Sequence, residues 1–266
     1  MTRTDETRAG PVLECRGVER RFGGLVALTG VNLRIERGEI FGLVGPNGSG
    51  KTTLTNAITG FYPPQKGSIV LNGRDITGMA PHEVARQGVA RTFQNLALFN
   101  GMTVLDNILL GRHVHMRPSV LRTAFYSLLA RKDEIEHRKV VEEVIDFLQL
   151  QAVRDELVDV IPIGLKKRVE LARALVAEPR FLILDEPMAG MNQEEKEYMA
   201  RFVLDARAEH DVTVLLIEHH MDIITGICDR MLVLSYGEVI GTGIPREVVQ
   251  DPRVIKAYIG GAHGAT

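Results

Sequence analysis

Gly45-Pro46-Asn47-Gly48-Ser49-Gly50-Lys51-Thr52 follows the pattern G-x-x-x-x-G-K-[ST], and its flanks decide the fold. An apolar run, Ile40-Phe41-Gly42-Leu43-Val44, precedes it. Thr53-Leu54-Thr55-Asn56-Ala57-Ile58-Thr59 follows as a helix closed by Gly60, so the order is strand, glycine loop, helix. A polyphosphate needs several backbone N–H groups pointing inward from a tight curve, which glycines at 45, 48 and 50 permit without Cβ clashes. The helix N-terminus adds partial positive charge. Lys51 is expected to reach the β- and γ-phosphates and the Thr52 hydroxyl to hold a magnesium ion bridging them. Pro46, Asn47, Ser49 and Thr53 complete the expected nucleotide contacts.

Composition narrows the setting. With 266 residues, 45% hydrophobic and 25% charged, the chain is expected to form one or two closely packed domains. A net charge of -2 and a pI near 6.5 give no footprint for nucleic acid, so no nucleic-acid partner is expected. No run approaches the ~18 apolar residues of a membrane span, and Met1 to Gly10 is polar without a signal-peptide core, which points to a cytoplasmic protein. Cys15 and Cys228 have no metal spacing and read as reduced, packed thiols. His113 and His115, two apart, fall on different faces of any helix and read as surface residues.

Along the chain, Val12 to Val18 and Leu25 to Ile35 show β patterns, broken by Arg20-Arg21-Phe22-Gly23-Gly24. Phe22 is either a purine-stacking aromatic or a core residue. Ser68 to Ile76 reads as a hairpin turning at Asn72-Gly73. Pro81 to Gln87 reads as a short helix ended by Gly88, and Val89 to Thr92 as a strand running into Phe93-Gln94-Asn95. From Met102 to about Leu150 the periodicity is helical. Arg180 to Pro187 is a second buried strand ending in two acids, and Val212 to His219 a third ending in a histidine. Gln193 to Ala208 is the clearest helix between them. Met231 to Leu234 and Glu238 to Ile240 flank Tyr236-Gly237 as a hairpin, and Pro245 to Ile259 reads as closing helices. Strands alternating with helices imply a parallel sheet, whose ligands bind at the carboxyl ends of the strands, where Lys51, Asp185, Glu186 and His219 all fall.

Asp185 and Glu186 could be a helix cap or a salt-bridge pair. Beside a phosphate loop they suggest a division of labour, Asp185 binding magnesium through its water shell and Glu186 orienting or deprotonating a water for attack on the γ-phosphate. His219 could touch the γ-phosphate or that water, or be a hydrogen-bonded surface residue.

Gly45 to Thr52, Gln94, Leu182 to Pro187 and His219, in this order, resemble the nucleotide-binding subunits of ABC transporters over nearly the whole chain. The resemblance implies an α/β ABC ATPase fold: a P-loop NTPase core with a mainly parallel sheet, an antiparallel β flap and an inserted α-helical subdomain. It makes 1–266 a single ABC ATPase domain, with flap and P-loop core in 1–94, helical subdomain in 95–165, remaining core in 166–242 and closing helices and tail in 243–266. It implies an ATPase using ATP and Mg2+, with Glu186, His219 and Gln94 in catalysis. Thr52, Gln94 and Asp185 would serve the metal. Phe22 would take the adenine-stacking place, Gln94 would sense magnesium and γ-phosphate while facing the membrane partner, and His219 would be the switch histidine.

Two departures stand out. The family's signature segment, usually Leu-Ser-Gly-Gly-Gln before a helix, is here Ile161-Pro162-Ile163-Gly164-Leu165, in register with Lys166 to Leu175. In the family this segment clamps the γ-phosphate held by a second subunit. Pro162 has neither hydroxyl nor N–H to donate, so the Gly164 N–H and the helix terminus are left, implying a weaker grip. Asn192 stands where many relatives carry Asp in the loop crossing the dimer interface, which puts cross-subunit coupling in doubt.

Other details are similar to one branch, the ATP-binding subunits of importers for branched-chain amino acids and related hydrophobic substrates: Phe22-Gly23-Gly24-Leu25-Val26-Ala27-Leu28, Pro162-Ile163-Gly164 in the signature, Ala189-Gly190-Met191-Asn192, Ile217-Glu218-His219, and Asp251 to Gly260. That implies a second ABC ATPase subunit, the same or different, transmembrane permease subunits, an indirect link to an external substrate-binding protein, and a peripheral place on the inner face of the cell membrane. The alternatives are a soluble ABC-type ATPase in translation or DNA repair, and a weakly hydrolysing regulatory subunit.

Overall fold

Two sheets share one core. The computed structural model describes residues 10–94, 96–115 and 129–261, with side chains described over 10–94, 96–113 and 136–258. Asn95, the centre of the 102–150 stretch and both ends of the chain therefore lie outside the described residues, as does the His115 side chain. The first sheet is antiparallel, in the order β2 (Leu25–Ile35), β1 (Leu13–Phe22), β4 (Lys66–Leu71), β5 (Arg74–Asp75). Its last hairpin turns at Asn72-Gly73 as expected. β1 runs further than the sequence suggests: Arg20, Arg21 and Phe22 still pair with β2, and only Gly23-Gly24 turns. The register slips along this stretch, and such bulges are what blurred its period-2 pattern.

The second sheet has the order β10 (Glu238–Gly243), β9 (Arg230–Ser235), β3 (Ile40–Val44), β8 (Thr213–Ile217), β7 (Phe181–Asp185), β6 (Val89–Arg91). All its strands are parallel except β10, which folds back on β9 at Tyr236-Gly237. Alternate residues face opposite cores: Phe181, Ile183, Leu215, Ile217, Leu232 and Leu234 join the first sheet, while Leu182, Leu184, Val214, Leu216, Met231 and Val233 join the helices. Burial on both faces is why these strands read as unbroken apolar runs.

Helix α1 (Lys51–Ile58) and α2 (Pro81–Arg86) pack on the first-sheet side through Leu54, Ile58 and Val84. The opposite face carries α3 (Val104–Leu110), α4 (Leu129–Phe147), α5 (Ile163–Leu175), α6 (Gln193–His210) and α7 (Met221–Ile227), with short α8 (Pro245–Val248) and α9 (Pro252–Gly261) closing the chain. The 102–150 region is helical where described, and an antiparallel bridge between Thr103 and Leu157 ties its start to the approach to α5. Two helices begin earlier than the sequence suggests, α1 at Lys51 rather than Thr53 and α5 at Ile163 rather than Lys166. Among the described residues no helix is long and apolar enough to cross a membrane.

Candidate active site

Three neighbouring strand ends make the site. β3, β8 and β7 lie side by side and parallel, so the glycine loop, Glu218-His219 and Asp185-Glu186 emerge on one edge. That convergence of N–H donors, acids and histidine follows from topology alone.

The loop is fixed by close approaches. Gly50, the N-cap of α1, has φ of 107°, and a Cβ there would stand 2.7 Å from the Ala27 carbonyl oxygen. At Gly45 (φ 154°) a Cβ would run into the Leu234 carbonyl oxygen and lie 2.6 Å from Ser49 Oγ. The Gly237 N–H donates to Ser49 O (2.9 Å) and the Thr29 N–H to Gly237 O (2.9 Å), so the loop is stitched to the β9–β10 turn and then to β2.

Lys51 is 8% exposed and its Nζ donates to Gly45 O (2.7 Å) and Pro46 O (3.1 Å). Burial lowers its pKa, while the charges of Glu186 and Asp185 act the other way. Ser49 Oγ is buried with no hydrogen-bond partner, and the first turn of α1 has no acidic residue. An unused hydroxyl, an ammonium and an open helix N-terminus fit a triphosphate.

On the acid side, the Asp185 N–H donates to Thr92 Oγ1 (3.1 Å), and Asp185 Oδ2 accepts from Arg91 NH2 (2.8 Å). Glu186 has φ of 50°, a conformation costing about 1–3 kcal/mol for a non-glycine residue. Its N–H donates to Ile217 O (3.0 Å), and its carboxylate lies between Gln94 Nε2 (3.1 Å, to Oε2) and His219 Nε2 (2.5 Å, to Oε1). Gln94 and His219, from distant parts of the sequence, thus meet on a single carboxylate, that of Glu186. Glu218 beneath them is buried, accepts from the Met188 N–H (3.1 Å) and the His219 N–H (3.2 Å), and has its pKa raised by burial.

Among the described residues no three His, Cys, Asp or Glu side chains form a metal cage. Magnesium needs none: one hydroxyl, one carboxylate, waters and phosphate oxygens suffice, and Thr52 with Asp185 offers that donor set.

Phe22 is 39% exposed at the end of β1, with Tyr62 edge-on (centroids 5.3 Å, 81°). The Arg20 guanidinium lies 4.9 Å from the Phe22 ring centre and 5.7 Å from that of Tyr62. Phe22 is therefore not core, and Tyr62 and Arg20 extend the surface it offers.

The signature segment differs from its reading as a pre-helix loop. Pro162 is the N-cap of α5 and makes no side-chain cap bond, so Gly164 sits inside the first turn. Gly164 is buried, and a Cβ there would collide with the Glu195 carboxylate. That same Glu195 accepts from the Asn192 N–H (2.9 Å), while Asn192 Oδ1 accepts from the Glu195 N–H (2.9 Å). Asn192 thus opens α6 in a reciprocal cap, which an amide performs as well as a carboxylate.

A groove of about 660 Å³ runs between the α2–β6 side and the α3–α5 side, lined by Phe61, Val84, Phe93, Phe99, Leu110 and Ala174 among others. Phe61 and Phe93 meet edge-on at 6.3 Å. Beyond Gln94, Ala97 is gripped by α5: its N–H donates to Glu170 Oε1 (3.0 Å) and its carbonyl accepts from Arg173 NH1 (2.5 Å). Arg91 bonds Asn56 and Asp185, and Glu170 bonds Ala97, all far along the chain, so no local pattern in the sequence marks these two contacts.

The family model described as ABC transporter matches residues 28–189, more than half the chain. The chain belongs to the ABC transporter ATP-binding family. A second model, described as branched-chain amino acid ATP-binding cassette transporter, matches residues 238–264 of this ABC protein. It is 40% identical over 252 residues, covering 95% of the chain and 99% of the relative, to the high-affinity branched-chain amino acid transport ATP-binding protein BraF of Pseudomonas aeruginosa. It is 36% identical, with the same coverage, to LivG of Escherichia coli, which carries the same description.

Among solved structures, a nucleotide-free ATP-binding cassette from an ABC transporter matches with a TM-score of 0.82 at 33% identity, covering 94% of this chain and 99% of the other. An ADP conformation of such a cassette matches equally well. As an ABC cassette of transport type, the chain is an ATPase subunit, and the reading as a translation or repair factor falls away.

Proposed function

We propose that the chain hydrolyses Mg2+-ATP to power an importer of branched-chain amino acids or related hydrophobic substrates. The observation that carries the catalytic part is the Glu186 carboxylate held between Gln94 and His219 beside Lys51. Glu186 takes a proton from water as the water oxygen bonds to the γ-phosphorus and the bond to the bridging oxygen of ADP breaks. His219 orients Glu186, Gln94 fixes its other oxygen, and Lys51 with the loop N–H groups receives the phosphate charge. Thr52 and Asp185 would hold a magnesium ion, which would supply neutralisation of the phosphate charge.

Phe22 with Tyr62 and Arg20 takes the adenine ring. A second cassette completes the site with its own signature segment, and the N-terminus of α5 is offered in return, with Gly164 itself buried against Glu195. The apolar groove beside Gln94 suits an amphipathic segment of a permease subunit, in keeping with a peripheral position on the inner face of the cell membrane. The substrate class rests on the printed names of relatives matched over nearly their whole length.

The test is uptake of leucine by vesicles containing the assembled transporter. Glu186→Gln is expected to abolish uptake while retaining nucleotide; undiminished uptake would refute the reading. A weakly hydrolysing regulatory role draws on Pro162, which caps α5 without a side-chain bond. Steady-state ATP turnover by the assembled complex separates the two.

A further inference from the structure

Arg91 is the last residue of β6, and its guanidinium joins parts of the site that the chain keeps far apart. NH2 donates to Asp185 Oδ2 (2.8 Å), and NH1 donates to Asn56 Oδ1 on α1 (2.6 Å) and, more loosely, to Thr59 Oγ1 (3.5 Å). Its plane also lies against Phe93, 5.3 Å from the ring centre. The Arg91 and Asp185 side chains are 7% and 6% exposed. Among the described residues, no donor reaches Asp185 Oδ1.

We propose that Arg91 is the positioning residue for Asp185: it holds Oδ2 so that Oδ1 faces the magnesium that accompanies ATP, and it sets that carboxylate against the phosphate-loop helix. The proposal rests on Asp185 as the metal-side acid. A buried carboxylate can turn about its terminal torsion, and a fixed orientation requires one oxygen to be occupied. The planar fork answers both anchors at once, on β7 and on α1, which a lysine ammonium cannot do with the same geometry. Asn56 and Thr59 keep the arginine in place whether or not a cation is bound, so it acts as a brace. A counter-ion that merely substituted for the metal would have no need of them. Phe93 lies against the guanidinium where both line the groove, and the Arg91–Asp185 pair itself is almost fully buried, which strengthens the bond between them.

The experiment titrates Mg2+ into the full-length protein holding a fluorescent ATP analogue and reads the Mg2+ midpoint alongside the analogue's Mg2+-free affinity. Arg91→Gln is expected to raise the midpoint about tenfold or more, the usual loss when a partner of a metal ligand is removed, with the Mg2+-free affinity nearly unchanged. Arg91→Lys, which keeps the charge and protects the fold, is expected to fall between Arg91→Gln and wild type. Asp185→Asn alone should raise the midpoint more, and adding Arg91→Gln to it should change little.

An Arg91→Gln midpoint equal to or below wild type overturns the proposal, the latter by making Arg91 a competitor of the metal. Equal loss of Mg2+-free and Mg2+-dependent affinity in both Arg91 variants overturns it by making Arg91 merely structural. If Asp185→Asn leaves the midpoint unmoved, the metal-side reading of Asp185 fails, and the proposal fails with it.

Discussion

His219 Nε2 lies 2.5 Å from Glu186 Oε1, so the residue after the Glu218 turn and the residue just past β7 are bonded across neighbouring strand ends. Gln94 occupies the other carboxylate oxygen. His219→Ala is expected to lower ATP turnover about 10²-fold, the scale of a misoriented general base. Nucleotide affinity by equilibrium binding should hardly move, because the role proposed for His219 is to orient Glu186 toward the attacking water. A parallel fall in affinity would assign His219 to binding instead.

Gly50 has no room for a side chain. A Cβ would lie 2.7 Å from Ala27 O and 3.0 Å from Leu28 Cδ2, in a left-handed conformation. Gly50→Ala is expected to cost about 1–3 kcal/mol in chemical denaturation and to abolish nucleotide binding. Gly24→Ala, where nothing lies within 4 Å and the backbone is unstrained, serves as the control.

Phe22 stands apart from the phosphate grip. Phe22→Ala is expected to weaken ATP binding by about 5- to 150-fold, the loss of one stacked base. Inorganic tripolyphosphate should bind the variant as it binds wild type. Unchanged ATP affinity would return Phe22 to a purely structural role.

Asn192 works as a helix cap. Asn192→Ala is expected to cost about 1 kcal/mol of stability, whereas Asn192→Asp, equally able to accept from the Glu195 N–H, should cost nothing measurable. Thermal unfolding of the three proteins at neutral pH decides it.

Glu218 gives a pH signature. Burial raises its folded pKa above the ordinary 4.5, so the folded protein holds this proton more tightly than the unfolded chain. Its contribution is therefore fully present below 4.5 and is lost as pH rises through the raised value. Glu218→Gln removes the titration while one oxygen still accepts a backbone N–H. The Tm of the variant relative to wild type should accordingly climb as pH is raised from about 4.5 toward neutrality. A constant difference would refute it.

The sequence exposed what depends on runs and fixed spacing. Apolar strands buried on both faces, the glycine loop and the acids closing β7 were legible because each is contiguous. His219 was legible from its place at a strand end and Gln94 from resemblance, but their meeting on Glu186 depends on β6, β7 and β8 lying side by side, which no local pattern encodes. Helix starts were misplaced where Pro162 and Gly50, poor helix formers in sequence, stand at the N-caps of α5 and α1. Arg91 stayed hidden because its partners, Asn56 and Asp185, are distant in sequence.

The stitching of Ser49 to Gly237 and of Gly237 to Thr29 is made wholly of main chain. In the proposed site the triphosphate would therefore meet a loop whose path is held by main-chain bonds, while the base would meet the side chains of Phe22, Arg20 and Tyr62 near the tip of a hairpin. Preference among purines can therefore drift, or be re-engineered, at the hairpin while the hydrolytic machinery stays as it is.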